Sequence, residues 1–435
     1  MIKKGALVTL IFIVSTLVQL VSQIVVTRTF GAKIDLDIFL AAVALPTIIV
    51  TVIYGTLNDA FLPIYGEKRI RDLRNSNGFF LSNLIALSAV SLLLTLLFYF
   101  LSWPISHLLY SVRGEEFVKN VAFQMRYLFF SIPFSVIATV FGVYYYSHKN
   151  FVRFPFAQVV GSVINLAIIV LLFPFIGIFS LVVAFVINII FQIFLVIPPL
   201  NIFKIENLPV RQAGWKLPDS NEIRKVLLAW LPLVIGTFAF RSDTILIRSF
   251  GSQLASGYLV YLNLISKIFS LATGVMTIGI QIVLLPHLVE EIAQKNHQKV
   301  ISKINQAKII SIVVSFFVVA AIVITSPVII KFLFVGGKFT LKDSQKVISL
   351  LPYFILPGVG WGIAGIYFQP LLALKKTWVV GIINLSSLFL GWTIASFVSK
   401  SQSPVTAISW GLTVLLFANI IFAEIGWQLY KRKYV

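Results

Sequence analysis

The sequence predicts an all-α polytopic membrane protein of about twelve transmembrane helices, arranged as two parallel six-helix lobes. Three observations carry this. Hydrophobic residues fill 59% of the 435 positions, charged residues 11%, and mean hydropathy is +0.97, whereas soluble domains carry roughly 25% charged residues. Apolar runs of roughly 20 residues recur along the whole length. One segment is written twice: Arg28-Thr29-Phe30-Gly31 leads to Leu62-Pro63 and Glu67-Lys68, and Arg248-Ser249-Phe250-Gly251 leads to Leu285-Pro286 and Glu290-Glu291. A membrane chain repeated in one direction implies a V-shaped pair of lobes around a path that opens alternately to each side, an alternating-access transporter.

The spans are expected in order. The first, 6–28, follows Lys3-Lys4 and is too long for a signal peptide's apolar core. The second, 36–64, carries Leu45-Pro46 and ends before Lys68, Arg69, Arg71 and Arg74. The third and fourth, 79–108 and 120–147, contain Pro104 and Pro133; the fifth and sixth, 154–175 and 178–200, follow Arg153. Residues 201–224, with Pro209, Gly214 and Pro218, read as a polar linker between a lobe of residues 1–200 and a lobe of 225–435. The seventh and eighth, 225–250 and 254–287, hold Arg241, Asp243 and Lys267. The ninth and tenth, 307–334 and 346–372, hold Pro327 and Pro357; the eleventh, 377–398, follows Lys375-Lys376, and the twelfth, 404–430, runs into Lys431-Arg432-Lys433.

Echoes between the halves support six spans in each. Trp103-Pro104 answers Ser326-Pro327, and Ile132-Pro133 with Gly142 and Tyr144 answers Leu356-Pro357 with Gly365 and Tyr367. Arg153, Gly161 and Asn165 answer Lys376, Gly381 and Asn384. Prolines that recur at matching places are expected to bend helices.

The net charge of +20 is unevenly spread: 22 basic residues flank the spans on the side of both termini and 10 on the other. That bias predicts cytoplasmic termini and an attraction to anionic lipid headgroups rather than a nucleic-acid partner. With no cysteine and four scattered histidines, neither a thiolate nor a histidine metal site is expected, and no cofactor is implied. No phosphate-cradling lysine loop is present, so an enzyme drawing on ATP is not expected. Transport would then draw on an ion gradient, the membrane potential or the cargo's own gradient.

The pattern Arg28-Thr29-Phe30-Gly31-Ala32, Asp37-Ile38-Phe39-Leu40-Ala41, Leu45-Pro46 and Ala60-Phe61-Leu62-Pro63 resembles the first two helices of the MurJ (MviN) lipid II flippases of the multidrug/oligosaccharidyl-lipid/polysaccharide exporter superfamily. Asp243-Thr244, Tyr261, Lys267 and Leu284-Leu285-Pro286 are similar to that family's seventh and eighth helices, and Gly337-Lys338-Phe339-Thr340 to its Gly-x-Phe-Thr motif. The resemblance covers nearly the whole chain. It implies translocation of an undecaprenyl-pyrophosphate-linked peptidoglycan precursor from the inner to the outer leaflet of the cytoplasmic membrane through a cationic cavity. The family usually has fourteen helices against the twelve spans counted here. It commonly carries arginines in the first and second helices, where the positions of this chain that match are Thr16, Ser22 and Val50. Twelve helices also fit related flippases for O-antigen or capsule repeats.

The intramembrane charges supply the candidate cargo contacts. A lone charge at mid-bilayer costs roughly 2.5–3.5 kcal/mol on insertion scales, so each needs a partner or a water-filled cavity. Lys267, counted from an expected start at 254, lies ~20 Å along its helix, too deep for easy snorkelling; it reads as a pyrophosphate-facing residue or as half of a structural ion pair. Arg241 and Asp243, two apart, project in different directions, one toward the cavity and the other toward a structural contact. Asp37 stands near the outer end of the second span. Arg28 reads as an interfacial anchor or a ligand, Asp59 as a gate or a cap, and Gln23 as a hydrogen-bonding partner of sugar, amide or neighbouring helix. Glu424 is expected to answer the nearby Lys431-Arg432-Lys433. Rival readings are a cation-coupled drug exporter, which would place acids deep in the N-terminal half, a transport-inactive scaffold, and a membrane-embedded enzyme of the same pathway, which would need larger outer loops.

Overall fold

A computed structural model describes residues 2–71, 73–199, 202, 220–294 and 296–434. Among them the secondary structure is helical, with one isolated bridge between Gly336 and Phe339 and no strand. Among the described residues eleven helices or helix pairs are long and apolar enough to cross a membrane, and the eighth expected span holds a further, shorter apolar helical stretch, Tyr258–Ser270. The chain is a multi-pass membrane protein.

In the first half, α1 (Ile2–Phe30) is followed by α2 (Ile34–Val52), which continues through a π-turn, Ile53–Leu57, into α3 (Asn58–Arg71). Then come α4 (Leu73–Tyr110), α5 (Glu115–Leu128), α6 (Ser131–Ser147), α7 (Arg153–Ile176) and α8 (Phe179–Val196). The second half has α9 (Ser220–Arg241), α10 (Asp243–Gly251), α11 (Tyr258–Ala293), α12 (His297–Phe334), α13 (Leu341–Leu350), α14 (Ile355–Tyr367), α15 (Gln369–Ala373), α16 (Thr377–Val398) and α17 (Pro404–Tyr434). Of the expected linker, residues 203–219 with Pro209, Gly214 and Pro218 lie outside the described residues; its last positions already belong to α9.

The repeat is visible in helix geometry. α4 and α12 are both 38 residues long with an interior proline, Pro104 and Pro327. The fourth span breaks between α5 and α6, the tenth between α13 and α14, and Pro133 and Pro357 are each the third residue of the helix after the break. There proline's missing N–H costs nothing. Lys149 and Lys375, at the next turn of each half, both adopt left-handed backbone, φ 59° and 58°. Each sits in a Schellman closure, with Asn150 N donating to Tyr145 O and Lys376 N to Leu371 O, both at 2.9 Å.

The chain divides into two compact units, residues 1–26 with 41–234, and residues 27–40 with 235–435. Segment 27–40, which the expected lobe of residues 1–200 contains, therefore packs with the second unit. The first unit is centred on an aromatic column in which Tyr65 lies 5.8 Å from Phe61 and 5.4 Å from Phe80, ring to ring. Polar groups are matched across its helices: Tyr54 donates to Gln192 Oε1 at 3.0 Å, and Trp230 Nε1 to Thr56 Oγ1 at 2.7 Å. In the second unit α16 and α17 approach closely through small residues, a Cβ on Gly391 falling 2.8 Å from Gly411 O. At the end of α11, Lys303 donates to Glu291 at 2.9 Å and holds that carboxyl below the usual carboxylate range.

Candidate functional site

Segment 27–40 is held to the second unit largely by backbone groups. Asp37 is fully buried; its Oδ2 accepts from Gly257 N at 2.8 Å and its Oδ1 from Val260 N at 3.2 Å. Those are the N-cap and third residues of α11, whose early N–H groups have no intrahelical acceptor. Gly257, at φ 89°, has no side chain to cap with, and a Cβ there would meet Ala32 O at 2.6 Å. Asp37 therefore serves as the cap from another helix, which takes it out of the set of cavity ligands.

The matched arginines of the repeat make reciprocal contacts. Arg28 Nη2 donates to Phe332 O at 3.3 Å, and its own carbonyl accepts from Lys338 N at 2.7 Å. Arg248 Nη1 donates to Leu40 O, and Nη2 to Asn263 Oδ1 at 3.4 Å. Arg28 thus acts as an anchor for the Gly337-Lys338-Phe339-Thr340 turn. That turn ends in a capping box, Thr340 with Asp343, which also receives the Tyr261 hydroxyl at 2.6 Å.

A different group of side chains remains accessible. Lys267 and Arg241 are exposed, and Arg248 is half-exposed. The guanidinium groups of Arg248 and Arg241 are the two charges that act on the Lys267 ammonium. Among the described residues no carboxylate lies within ion-pair distance of Lys267. Helix α11 starts at Tyr258 rather than near 254, because Asp37 caps it there, so Lys267 lies ~14 Å along, near the middle of a ~30 Å hydrocarbon core.

Arg241 and Asp243 flank a helix break at Ser242. Asp243 accepts from the Trp361 indole at 2.8 Å and from Thr244 N at 2.7 Å, and the Arg241 charge acts on it. It fixes α10 to α14. Asp59 and Gln23 belong to the first unit. Asp59 is exposed in the first turn after the π-turn and acts on the Tyr146 hydroxyl; Gln23 is half-buried. The structure thus gathers Lys267, Arg241 and Asp243 within the second unit, while Asp59 and Gln23 are residues of the first.

One part-buried ion pair has no pairing signature in the local sequence. Glu424 pairs with Lys308 on α12 and accepts from Gln428 at 2.7 Å, with Lys431 only a longer-range influence. The Lys308 ammonium also lies 5.0 Å from the Tyr367 ring centroid. The only prior signal was that both residues fall inside apolar stretches. Among the described residues no group of three or more His, Asp or Glu side chains is arranged to hold a metal ion.

Repeated six-helix halves carrying an exposed cationic cluster define a multi-pass membrane protein with the fold of the MOP-superfamily transporters. A solved multidrug-resistance MATE family transporter of that superfamily, in an inward-facing conformation, matches with a TM-score of 0.78 at 14% identity, over 96% of this chain and 94% of that one. A sequence profile described as lipid II flippase MurJ matches residues 26–433, and the chain belongs to that family. A probable lipid II flippase MurJ from Borreliella burgdorferi is 26% identical over 410 residues, which are 90% of this chain and 75% of that protein. A solved lipid II flippase MurJ in an inward closed conformation superimposes with a TM-score of 0.80 at 18% identity, over 97% of this chain and 87% of that one.

Proposed function

We propose that this chain flips lipid II, the undecaprenyl-pyrophosphate-linked peptidoglycan precursor, from the inner to the outer leaflet of a bacterial cytoplasmic membrane. Family membership over residues 26–433 supports the cargo, and the cluster of Lys267, Arg241 and Arg248 supports the way it is held. A pyrophosphate crossing a low-dielectric path needs fixed positive charge, and Lys267 offers an ammonium not already committed to an acid. The role of Arg241 is to extend that field, with Asp243 orienting the start of α10. Nothing is made or broken in the cargo, so the work is movement rather than catalysis. The two halves would alternate access around the cargo. A membrane potential negative inside favours outward movement of two negative charges by about 4–5 kcal/mol per 100 mV; a coupling ion is the other available source.

Thr16, Ser22 and Val50, where family arginines are common, favour a second reading, a flippase for another polyprenyl-linked glycan. Complementation separates the two. Rescue of a bacterium depleted of its own lipid II flippase supports the first; rescue only of a strain lacking its O-antigen flippase supports the second. Lys267→Ala is expected to abolish rescue at normal expression and Lys267→Arg to retain part of it. Full rescue by Lys267→Ala would remove Lys267 from the cargo path.

A further inference from the structure

The second unit carries another concave feature, lined by none of Lys267, Arg241 or Arg248. A trough of about 730 Å³ runs between α12, α14 and α17. Its walls extend from Ile312 to Ile324 on α12 and from Ile355 to Tyr367 on α14, in each case ~18 Å along the helix, more than half the depth of a ~30 Å hydrocarbon core. Of its thirteen lining residues, Tyr367 alone bears a polar side-chain atom. Phe316, Ile324 and Leu356 at its rim are exposed.

The chemistry changes at one end. Leu356 also borders a hollow of about 290 Å³ walled by Pro352, Tyr353, Thr406, Ser409, Trp410 and Thr413. No charged side chain lines either space. Ser409 donates to Tyr353 O at 2.6 Å and Thr413 to Ser409 O at 2.7 Å, which leaves the lone pairs of both hydroxyl oxygens as acceptors. Trp410 is half-exposed, offering an indole face and an N–H. Aromatic side chains with a polar handle prefer the membrane–water boundary.

We propose that trough and hollow together hold one lipid, its hydrocarbon chain between α12 and α14 and an uncharged sugar headgroup against Trp410. Charge complementarity decides the class. A phosphate in the hollow would find no lysine or arginine, and an amine would find no carboxylate. A sugar presents C–H faces to the indole and hydroxyls to the oxygen acceptors and the indole N–H. The assignment rests on the proposed function and on cytoplasmic termini, which together put the start of α17 at the outer surface and the turn before α14 in the outer part of the tenth span.

The test is lipid retention by the purified full-length chain, read by native mass spectrometry after reconstitution with equal parts monoglycosyl diacylglycerol, phosphatidylcholine and phosphatidylglycerol. The parent chain is expected to retain the glycolipid about tenfold over the other two, a difference of about 1.4 kcal/mol. Ala320→Trp, on the exposed rim of the trough, should abolish retention of all three at an unchanged melting temperature. Trp410→Ala should keep a bound lipid and lose the preference, so the result does not hang on one variant's folding. Equal retention by the parent chain, or preference for phosphatidylglycerol, overturns the proposal. Retention is read without any flipping, so failure of the complementation experiment leaves this measurement standing, and the reverse.

Discussion

Asp37 and Gly257 hold the same position in the two copies of the repeat and are hydrogen-bonded to each other, Asp37 Oδ2 accepting from Gly257 N at 2.8 Å. The first copy supplies an acid where the second has a glycine, and that acid caps the helix following the glycine. A side-chain cap usually comes from the N-cap residue itself; here it arrives from α2, because Ala32 O occupies the space a Cβ on residue 257 would need.

Replacing the cap should loosen the start of α11. Asp37→Ala removes two acceptors from a buried site, and a lost cap costs roughly 0.5–2 kcal/mol before the unsatisfied N–H groups are counted. Asp37→Asn keeps one acceptor oxygen and should lose less. Hydrogen exchange of the Gly257 and Val260 amides reads the effect directly. Unchanged protection in Asp37→Ala would show that the cap is not what holds the helix start.

Gly257→Ala should be far more harmful than Gly177→Ala. Both glycines have positive φ, 89° and 54°, so both substitutions carry backbone strain, of roughly 1–3 kcal/mol. A Cβ at 177 meets nothing within 4 Å, whereas one at 257 must displace the Ala32 carbonyl. Thermal unfolding of the two variants in one detergent gives the comparison; equal losses would mean the close approach relaxes at little cost.

Span positions were legible because each is a run of apolar residues, a property of the local sequence. The repeat was legible because it is written in letters, Arg-x-Phe-Gly twice, and it reappears in features not sought, such as the paired left-handed turns at Lys149 and Lys375. The roles of individual charges were not legible. Asp37 looked like a cavity acid because nothing nearby in sequence shows that residues 257 and 260 need acceptors. Glu424 was assigned to its nearest basic neighbours in sequence, while its partner Lys308 lies on a helix 116 residues earlier. Lys267 was placed about one turn too deep because the start of α11 is set by Asp37, a contact across 220 residues.

Both termini are expected on the cytoplasmic side, from the bias of 22 basic residues against 10. Reporter fusions after Val435 and within the Arg113–Lys119 segment should report opposite sides. A cytoplasmic signal from both would break the proposed topology, and a signal from the loop alone would invert it and with it the outward direction of transport.

The Lys308–Glu424 pair should respond unequally to loss of its two members. The Lys308 side chain is 10% exposed and that of Glu424 35%. Glu424→Gln strands an ammonium in a nearly dry site, where breaking a buried pair costs about 3 kcal/mol or more. Lys308→Met leaves a carboxylate that still reaches water and Gln428, so screening should hold that loss to about 1 kcal/mol. Removing both charges together should recover most of the Glu424→Gln loss, since the desolvated ammonium is then gone. Thermal unfolding of the two single variants and the double variant closes the cycle. Equal single losses, or a double variant no better than Glu424→Gln, would show that the pair is hydrated and that its burial does not govern its contribution.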